Sequence, residues 1–597
     1  MEVAATLACS AVTGTRRTTA AIVGRIAVAA FAIGAALALA ALSFAGYETL
    51  KSHLDPLSVD RDAGITRPEF DQILFRLRIL AVGLAALAVG LLVGGRRVDD
   101  LVDGIVRSWW SALRAAPSAT RDWMAREPTS AAVGTVIVLT AVAIRIAFLD
   151  VPLRYDEATT YNNFVSKPVY VALANYATPN NHLLHTFLAK ISVEIFGNEP
   201  WAIRLPALLA GVALVPATFA VGRAFFGRIA ALLAAALVAS SSTLVEYSTN
   251  ARGYTIVALC TVVVLLAGER ALGRDSIGAW ALVAVVGALG LYAVPVMLYP
   301  FGGALLWLLL SGLVARRPSR PLLARLGVTS LATVVLTLVL YAPVYAASGV
   351  RSVTANEFVE PRTWSTLVDL FPEHVSDTVG TWTRDLPLGA AVVLGAGLFL
   401  GLVLTPRISR WPVPPLLTIA AWSVVVLLMQ RVVPYTRVWL FLVPLLAVTV
   451  AGFYGWLLER RAWGLQAGSV LAVVVAVCGS ALVLSADSVR ESRETGALLD
   501  APAIAAFLAE RVEPKDRVLA TGSDTILEYY LERDGVDAGP LLYSTDAADR
   551  TFVVVNVLGG QTLEDLLSQL DGSDELPPPE LLRSFDSGRV YLVERPV

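Results

Sequence analysis

The chain has 597 residues, 56% of them hydrophobic and 16% charged, with mean hydropathy +0.66 and a formal net charge of −2. A soluble globular chain does not carry this much apolar surface, so the composition reads as a multi-pass membrane protein. The near-neutral charge argues against a nucleic-acid partner, and three widely spaced cysteines, Cys9, Cys260 and Cys478, suggest neither a disulfide framework nor a thiolate metal site.

Taken in order, the chain begins with Arg16, Arg17 and Arg25 around the start of an Ala-rich run that ends near Gly46. That run is long enough to span a bilayer and lacks a clear cleavage context, so it reads as a retained first helix. Apolar windows of spanning length lie near Ile26–Gly46, Ile79–Gly95, Ala131–Phe148, Leu205–Val221, Ile229–Val245, Tyr254–Leu272 and Ile277–Ala293. They continue near Val296–Leu313, Leu326–Ala346, Leu388–Leu404, Pro415–Met429, Val438–Leu457 and Leu465–Leu484. The spanning-length rule thus predicts about thirteen transmembrane helices.

Arginines set the expected orientation. Arg96, Arg97, Arg107 and Arg114 share one loop, and Arg223 with Arg228, Arg270 with Arg274, Arg316 with Arg317 and Arg320, Arg407 with Arg410, and Arg460 with Arg461 fall in five others. With simple alternation all six loops lie on the side of the N-terminus, which the positive-inside rule makes cytoplasmic. The external side then receives the loops around His53, Asp156, Glu246 to Arg252, Glu373 and Pro434, together with the C-terminal tail. The expected location is the plasma (inner) membrane.

Three regions are predicted: a two-helix extension with a cytoplasmic amphipathic segment (1–129), a transmembrane core (130–485) and an extracytoplasmic α/β domain (486–597). In the last, strand-length runs at Arg517–Ala520, Phe552–Val557 and Val590–Val593 alternate with helix-like segments Thr525–Glu532 and Thr562–Leu570. Each helix opens on a capping-box pattern, Thr525 with Glu528 and Thr562 with Asp565, which suggests a small βαβ-type domain. No phosphate-binding glycine pattern follows the first strand, and the absence of an internal repeat weighs against inverted-repeat transporters.

The chemistry concentrates after the third window, at Arg154-Tyr155-Asp156-Glu157. Adjacent carboxylates at a membrane edge are costly to desolvate and do little to hold helices together, so Asp156 and Glu157 are read as functional. The alternative is a pair of solvated acids opening an amphipathic helix. The same loop holds His182 and His185, two of only four histidines in the chain. They either join Asp156 or Glu157 around a divalent ion, bind a phosphate, or simply hydrogen-bond in the headgroup zone. A stripe of Leu184, Phe187, Leu188, Ile191 and Ile195 predicts an interfacial helix closing at Gly197. The loop Arg351–Asp385 carries Trp364, Glu373, His374 and Trp382 and is long enough to cap a cavity, although its tryptophans fit interface anchors better.

The ordered set Arg154-Tyr-Asp-Glu, His182-Leu-Leu-His and Phe196-Gly-Asn-Glu-Pro-Trp-Ala-Ile-Arg-Leu-Pro206 resembles the GT-C glycosyltransferases of the protein O-mannosyltransferase and aminoarabinose transferase type. Tyr247-Ser-Thr-Asn-Ala-Arg252-Gly-Tyr254 is similar to that family's Tyr-Ser-Gln-Glu-Ala-Arg-x-Tyr segment, and Arg437 with Val443-Pro444 is similar to its late arginine and Leu-Pro helix entry. The resemblance covers roughly Ala131 to Leu484. The family usually has His-Pro-Pro where this chain has His182-Leu-Leu, and Glu where it has Asn250.

The resemblance implies a polytopic helical GT-C fold and transfer of a sugar, with inversion, from a polyprenyl-phosphate donor to an external acceptor hydroxyl on a glycan, a lipid or a protein. Asp156 is then the expected base, Glu157 and His182 orient acceptor or ion, and Asp156, Glu157 and His182 form the set for a divalent cation. Substrate contacts fall to Arg154, Tyr155, His182, His185, Arg204, Glu246, Tyr247, Arg252, Tyr254 and Arg437. Arginine suits the lipid phosphate because it offers a permanent charge and paired donors; the alternative for each is a snorkelling or interhelical role, and Glu246 alternatively pairs with Arg252. Two rival readings are a transporter or flippase of lipid-linked sugars, disfavoured by the nearly uncharged helix centres, and an inactive scaffold.

Overall fold

The computed structural model describes residues 2–57, 64–354, 360–494, 496–544, 548–570 and 577–594, with side chains from residue 22 onward. The side chains of Cys9, Arg16 and Arg17 therefore lie outside the described residues.

Each of the thirteen apolar windows is helical. Among the described residues, ten helices are long and apolar enough to cross a membrane, and two more, Ile277–Ala293 and Pro415–Gln430, are apolar but shorter. The remaining window is broken into Arg228–Ala239 and Ser242–Ser248, bent by 62°. Helices prevail because a lipid interior leaves backbone groups no partner but one another. The break is tolerated for the same reason. Arg145, fully buried on the Pro128–Ile146 helix, donates to the carbonyls of Val238 and Ala239, where the first half ends, and to Ser248 Oγ in the second. Gly211 makes room for this contact, since a Cβ there would lie 2.0 Å from Ser248 Oγ.

Small residues set the helix crossings. A Cβ at Gly303 would lie 2.3 Å from Ile419 Cα, one at Gly401 2.5 Å from the Thr449 carbonyl, and one at Gly455 2.6 Å from Ala230 N. The Arg228–Ala239, Tyr254–Arg274 and Thr436–Glu459 helices form the buried centre, and the N-terminal helix pair lies at the periphery. That pair is joined by the ion pair of Arg25 Nε with Asp99 Oδ1 at 2.7 Å. The 60-residue helix Arg67–Arg126 turns at Gly95 (φ 47, ψ −130) from its apolar half into an amphipathic one. The latter anchors on the core through Trp109 Nε1 donating to the Gly278 carbonyl at 2.8 Å.

The loops expected to share a face do so. At one end Tyr170 Oη donates to the His53 carbonyl and Arg76 to that of Ala347. At the other, Arg223 and Arg228 both meet Glu127, and Arg410 meets Glu269.

The C-terminal region holds a four-stranded sheet in the order β1-β2-β4-β3, from β1 (Arg517–Leu519), β2 (Arg550–Asn556), β3 (Glu580–Ser584) and β4 (Gly588–Glu594). β1 and β2 are parallel, as a βαβ crossover requires, with Asp524–Arg533 and Ala538–Tyr543 between them; β4 runs antiparallel to both neighbours. The capping box of Thr562 and Asp565 forms. The one expected at Thr525 and Glu528 does not, because the helix begins earlier, after Ser523, and the Glu528 carboxylate instead accepts from Asn162 Nδ2 and Tyr543 Oη.

This region is seated on the loop after Pro128–Ile146. Leu153 N–H donates to Tyr530 Oη at 2.9 Å, Asn162 Nδ2 to the Thr525 carbonyl at 2.9 Å, and Arg533 grips both Glu199 oxygens at 2.7 Å. Leu153, Ala158, Val165 and Ile203 share one apolar core with Ile526, Leu527 and Leu531. The amphipathic helix Leu183–Phe196 buries Leu183, His185, Thr186 and Ala189, and turns Leu188, Ile191 and Ile195 outward, as an interfacial helix should.

Candidate active site

A short helix, Tyr155–Thr160, opens the loop and points its two acids in different directions. Glu157 is fully buried and accepts four N–H bonds: Arg204 Nε at 2.8 Å and Ala251 N at 2.7 Å on Oε1, Arg204 Nη2 at 2.7 Å and Arg154 N at 3.0 Å on Oε2. Burial works to raise the Glu157 carboxyl, but the Arg204 and Arg154 charges and hydrogen bonds outweigh it and hold the group below the usual carboxylate range. Arg204 spends its other donors on the carbonyls of Leu149, Val151 and Pro152. This pair clips the loop to the Ala251 turn and leaves Arg204 no donor directed at a ligand.

Glu246 is likewise committed. It pairs with Arg154 Nη1 at 2.8 Å and with Arg384, which arrives after the helix Trp364–Thr383. Its partners are therefore Arg154 and Arg384 and not Arg252, and Arg154 belongs to the same network. Tyr155 docks the C-terminal region, its N–H donating to the Gly496 carbonyl at 2.9 Å and its ring packing against that core.

Asp156 differs. Its carboxylate is one-fifth exposed and lies between two arginines, with Arg437 Nη2 at 3.4 Å and Arg252 Nη2 at 3.9 Å from Oδ2. Oδ2 is buried and has no hydrogen-bond partner among the described residues. Arg252 is 3% exposed, held by the carbonyl and side-chain oxygens of Asn180, and its Nε has no hydrogen-bond partner among the described residues. Asn180 also donates from Nδ2 to the Asp156 carbonyl at 2.8 Å, fixing the acid to the loop. Arg437 donates from Nε to Tyr254 Oη at 3.3 Å and from Nη1 to the Glu494 carbonyl at 3.2 Å.

An aromatic wall completes the site. His182 meets Tyr254 edge to face at 5.0 Å, and Tyr254 meets Tyr247 at 5.6 Å. His182 Nδ1 accepts from Gly253 N–H at 2.7 Å, so its proton sits on Nε2. Burial, reinforced by the Arg252 charge, pushes both histidines down, His182 well below its ordinary value and His185 to about 3, so both are neutral. Neither ring nitrogen of His185 has a partner among the described residues, nor does Tyr247 Oη.

Asp156, Glu157 and His182 do not converge as a cation site. Four N–H groups occupy the Glu157 oxygens and Gly253 occupies His182 Nδ1; among the described residues no three His, Cys, Asp or Glu side chains are grouped as metal ligands.

The sequence of 179–345 matches the family model described as dolichyl-phosphate-mannose-protein mannosyltransferase. That stretch carries His182, His185, Arg204, Glu246, Tyr247, Arg252 and Tyr254. No curated protein matches the chain. In three dimensions it is similar to ArnT from Cupriavidus metallidurans in the apo state, at 14% identity and TM-score 0.53, over 77% of this chain and 97% of that one. ArnT bound to undecaprenyl phosphate aligns over the same shares at 13% identity and TM-score 0.53.

The chain has the GT-C glycosyltransferase fold.

Taken with the family match, the fold marks the chain as a membrane glycosyltransferase. In the candidate site the sequence motifs missed Asn180, Arg384 and Glu494. Arg384 and Glu494 lie outside every quoted motif. Arg145, at the broken helix, carried a signal of its own, as an arginine inside an apolar window.

Proposed function

We propose that this glycosyltransferase takes its sugar from a polyprenyl-phosphate donor and transfers it, with inversion, to an acceptor hydroxyl at the external membrane face. The observation that carries this reading is the Asp156 carboxylate, whose Oδ2 lies between Arg437 at 3.4 Å and Arg252 at 3.9 Å and accepts no hydrogen bond among the described residues. A donor phosphate entering there takes up the guanidinium donors, which releases Asp156 to accept the acceptor's proton. The acceptor oxygen bonds to the anomeric carbon as the carbon–oxygen bond to phosphate breaks, and the electron pair leaves on the lipid phosphate beside the arginines. Partial burial strengthens these charge interactions relative to water.

ArnT offers support for the donor class, since it has been seen with undecaprenyl phosphate. The outward apolar face of Leu183–Phe196, beside His182 and His185, suits a lipid tail approaching from the bilayer. The positive-inside pattern supports an external site with a cytoplasmic N-terminus.

The test is transfer by purified protein in lipid, given a panel of radiolabelled polyprenyl-phosphate sugars and membrane extract as acceptor. Turnover by wild type that is lost in folded Asp156→Asn supports the reading. Full activity in the variant removes Asp156 as the base. No turnover of any donor brings the transporter and scaffold readings forward.

A further inference from the structure

Residues 486–494, with 496 and 497 after them, lie between the last membrane helix and the C-terminal sheet. They cross the external mouth of the site. Ser488 Oγ donates to Asp385 Oδ2 at 2.6 Å, the Val489 carbonyl accepts from Arg154 Nη2, and the Gly496 carbonyl accepts from Tyr155 N–H at 2.9 Å. Gly496 has φ +70, and a Cβ there would lie 2.7 Å from that of Tyr155, so this crossing requires glycine.

The strap delivers Glu494 to Arg437 at two points. Glu494 Oε1 accepts from Arg437 N–H at 3.2 Å and from Thr436 Oγ1, at the opening of the 3₁₀ turn Thr436–Leu442. Its carbonyl accepts from Arg437 Nη1 at 3.2 Å. With Tyr254 Oη on Nε, these contacts fix the guanidinium plane and leave Nη2 facing Asp156.

We propose that Glu494 is a positioning residue that sets Arg437 for the donor phosphate, so that the strap is part of the active site. This rests on the donor reading above. The side chain acts as a hydrogen-bond acceptor at a helical turn's start, so an amide oxygen serves in its place.

The experiment compares Glu494→Ala, Glu494→Gln and wild type by KM for the polyprenyl-phosphate sugar, by kcat, and by the thermal shift each protein shows with undecaprenyl phosphate. Glu494→Ala is expected to raise KM about three- to tenfold, the worth of one or two hydrogen bonds, with kcat within about twofold. Glu494→Gln is expected to restore KM. Should Glu494→Ala fail to fold, Thr436→Val, which removes one donor to Oε1, is expected to raise KM about threefold. An unchanged KM in the alanine variant, a fall in kcat at constant KM, or failure of glutamine to rescue overturns the proposal. If wild type turns over no donor, the donor reading fails separately, and the lipid-phosphate thermal shift still decides: it shrinks in Glu494→Ala or the proposal falls.

Discussion

Asp156 and Glu157 are neighbours on one helical turn, yet they belong to different regions. Around Glu157, both carboxylate oxygens are taken, and the buried charges of Arg204, Arg154, Glu246 and Arg384 are each set in ion pairs or hydrogen bonds with an opposite charge of the same network. Around Asp156, Oδ2 and Arg252 Nε accept or donate no hydrogen bond among the described residues, although Oδ2 lies in ion pairs with Arg437 and Arg252. Buried polar atoms in a folded protein are nearly always paired, and the proposed donor site draws on these open groups. Glu157 is fully buried with both oxygens bonded, whereas Asp156 is one-fifth exposed and sits in looser ion pairs.

The contrast breaks most sharply with Asp156→Asn. Transfer should fall by about 10²–10⁴-fold, the usual worth of a positioned base, while thermal unfolding in detergent stays close to wild type. Glu157→Ala should do the reverse. It leaves Arg204 buried and unpaired, which costs about 3–5 kcal/mol, and a large drop in unfolding temperature should precede any specific kinetic defect. Equal stability losses in the two variants would dissolve the distinction.

The arginines give the next test. Arg437→Lys replaces paired planar donors by a point charge and should raise KM for the lipid donor about tenfold, the scale of a charged hydrogen bond. Arg204→Lys should move the unfolding temperature and leave KM unaltered in the protein that remains folded.

The smallest effect concerns pH. His185 is neutral with its pKa depressed to about 3 by burial and the Arg252 charge. Between the ordinary histidine value of about 6.5 and that depressed value, the unfolded chain binds a proton that the folded chain does not. Stability therefore falls as pH drops through this window and is fully regained above it. His185→Asn should make the fall in unfolding temperature between pH 6.5 and 4.5 shallower, with His182 supplying what remains, and an unchanged slope would show that His185 is not held neutral.

Much of the architecture was legible in the sequence. A bilayer-spanning segment must satisfy its own backbone, so the thirteen windows could only be helices, and Tyr254–Leu272 and Val438–Leu457 emerge nearly as drawn. The parallel pairing of β1 and β2 followed from alternating strand and helix patterns. β3 escaped notice because it is a short, exposed strand, Glu-Leu-Leu-Arg-Ser, with no apolar alternation, defined only by its partner β4.

The site was legible as an inventory but not as a set of roles. Arg204, Arg252 and Arg437 were equivalent as sequence features, each an arginine at an external helix end. Their partners lie 47 residues away for Arg204 with Glu157, 72 for Arg252 with Asn180 and 57 for Arg437 with Glu494. Local chemistry set which residues are costly to bury near a membrane, and so which loop stands out in the sequence. Which of those charges is closed off and which is left open depends on long-range pairing, and only the packed helices and the strap across them decided it.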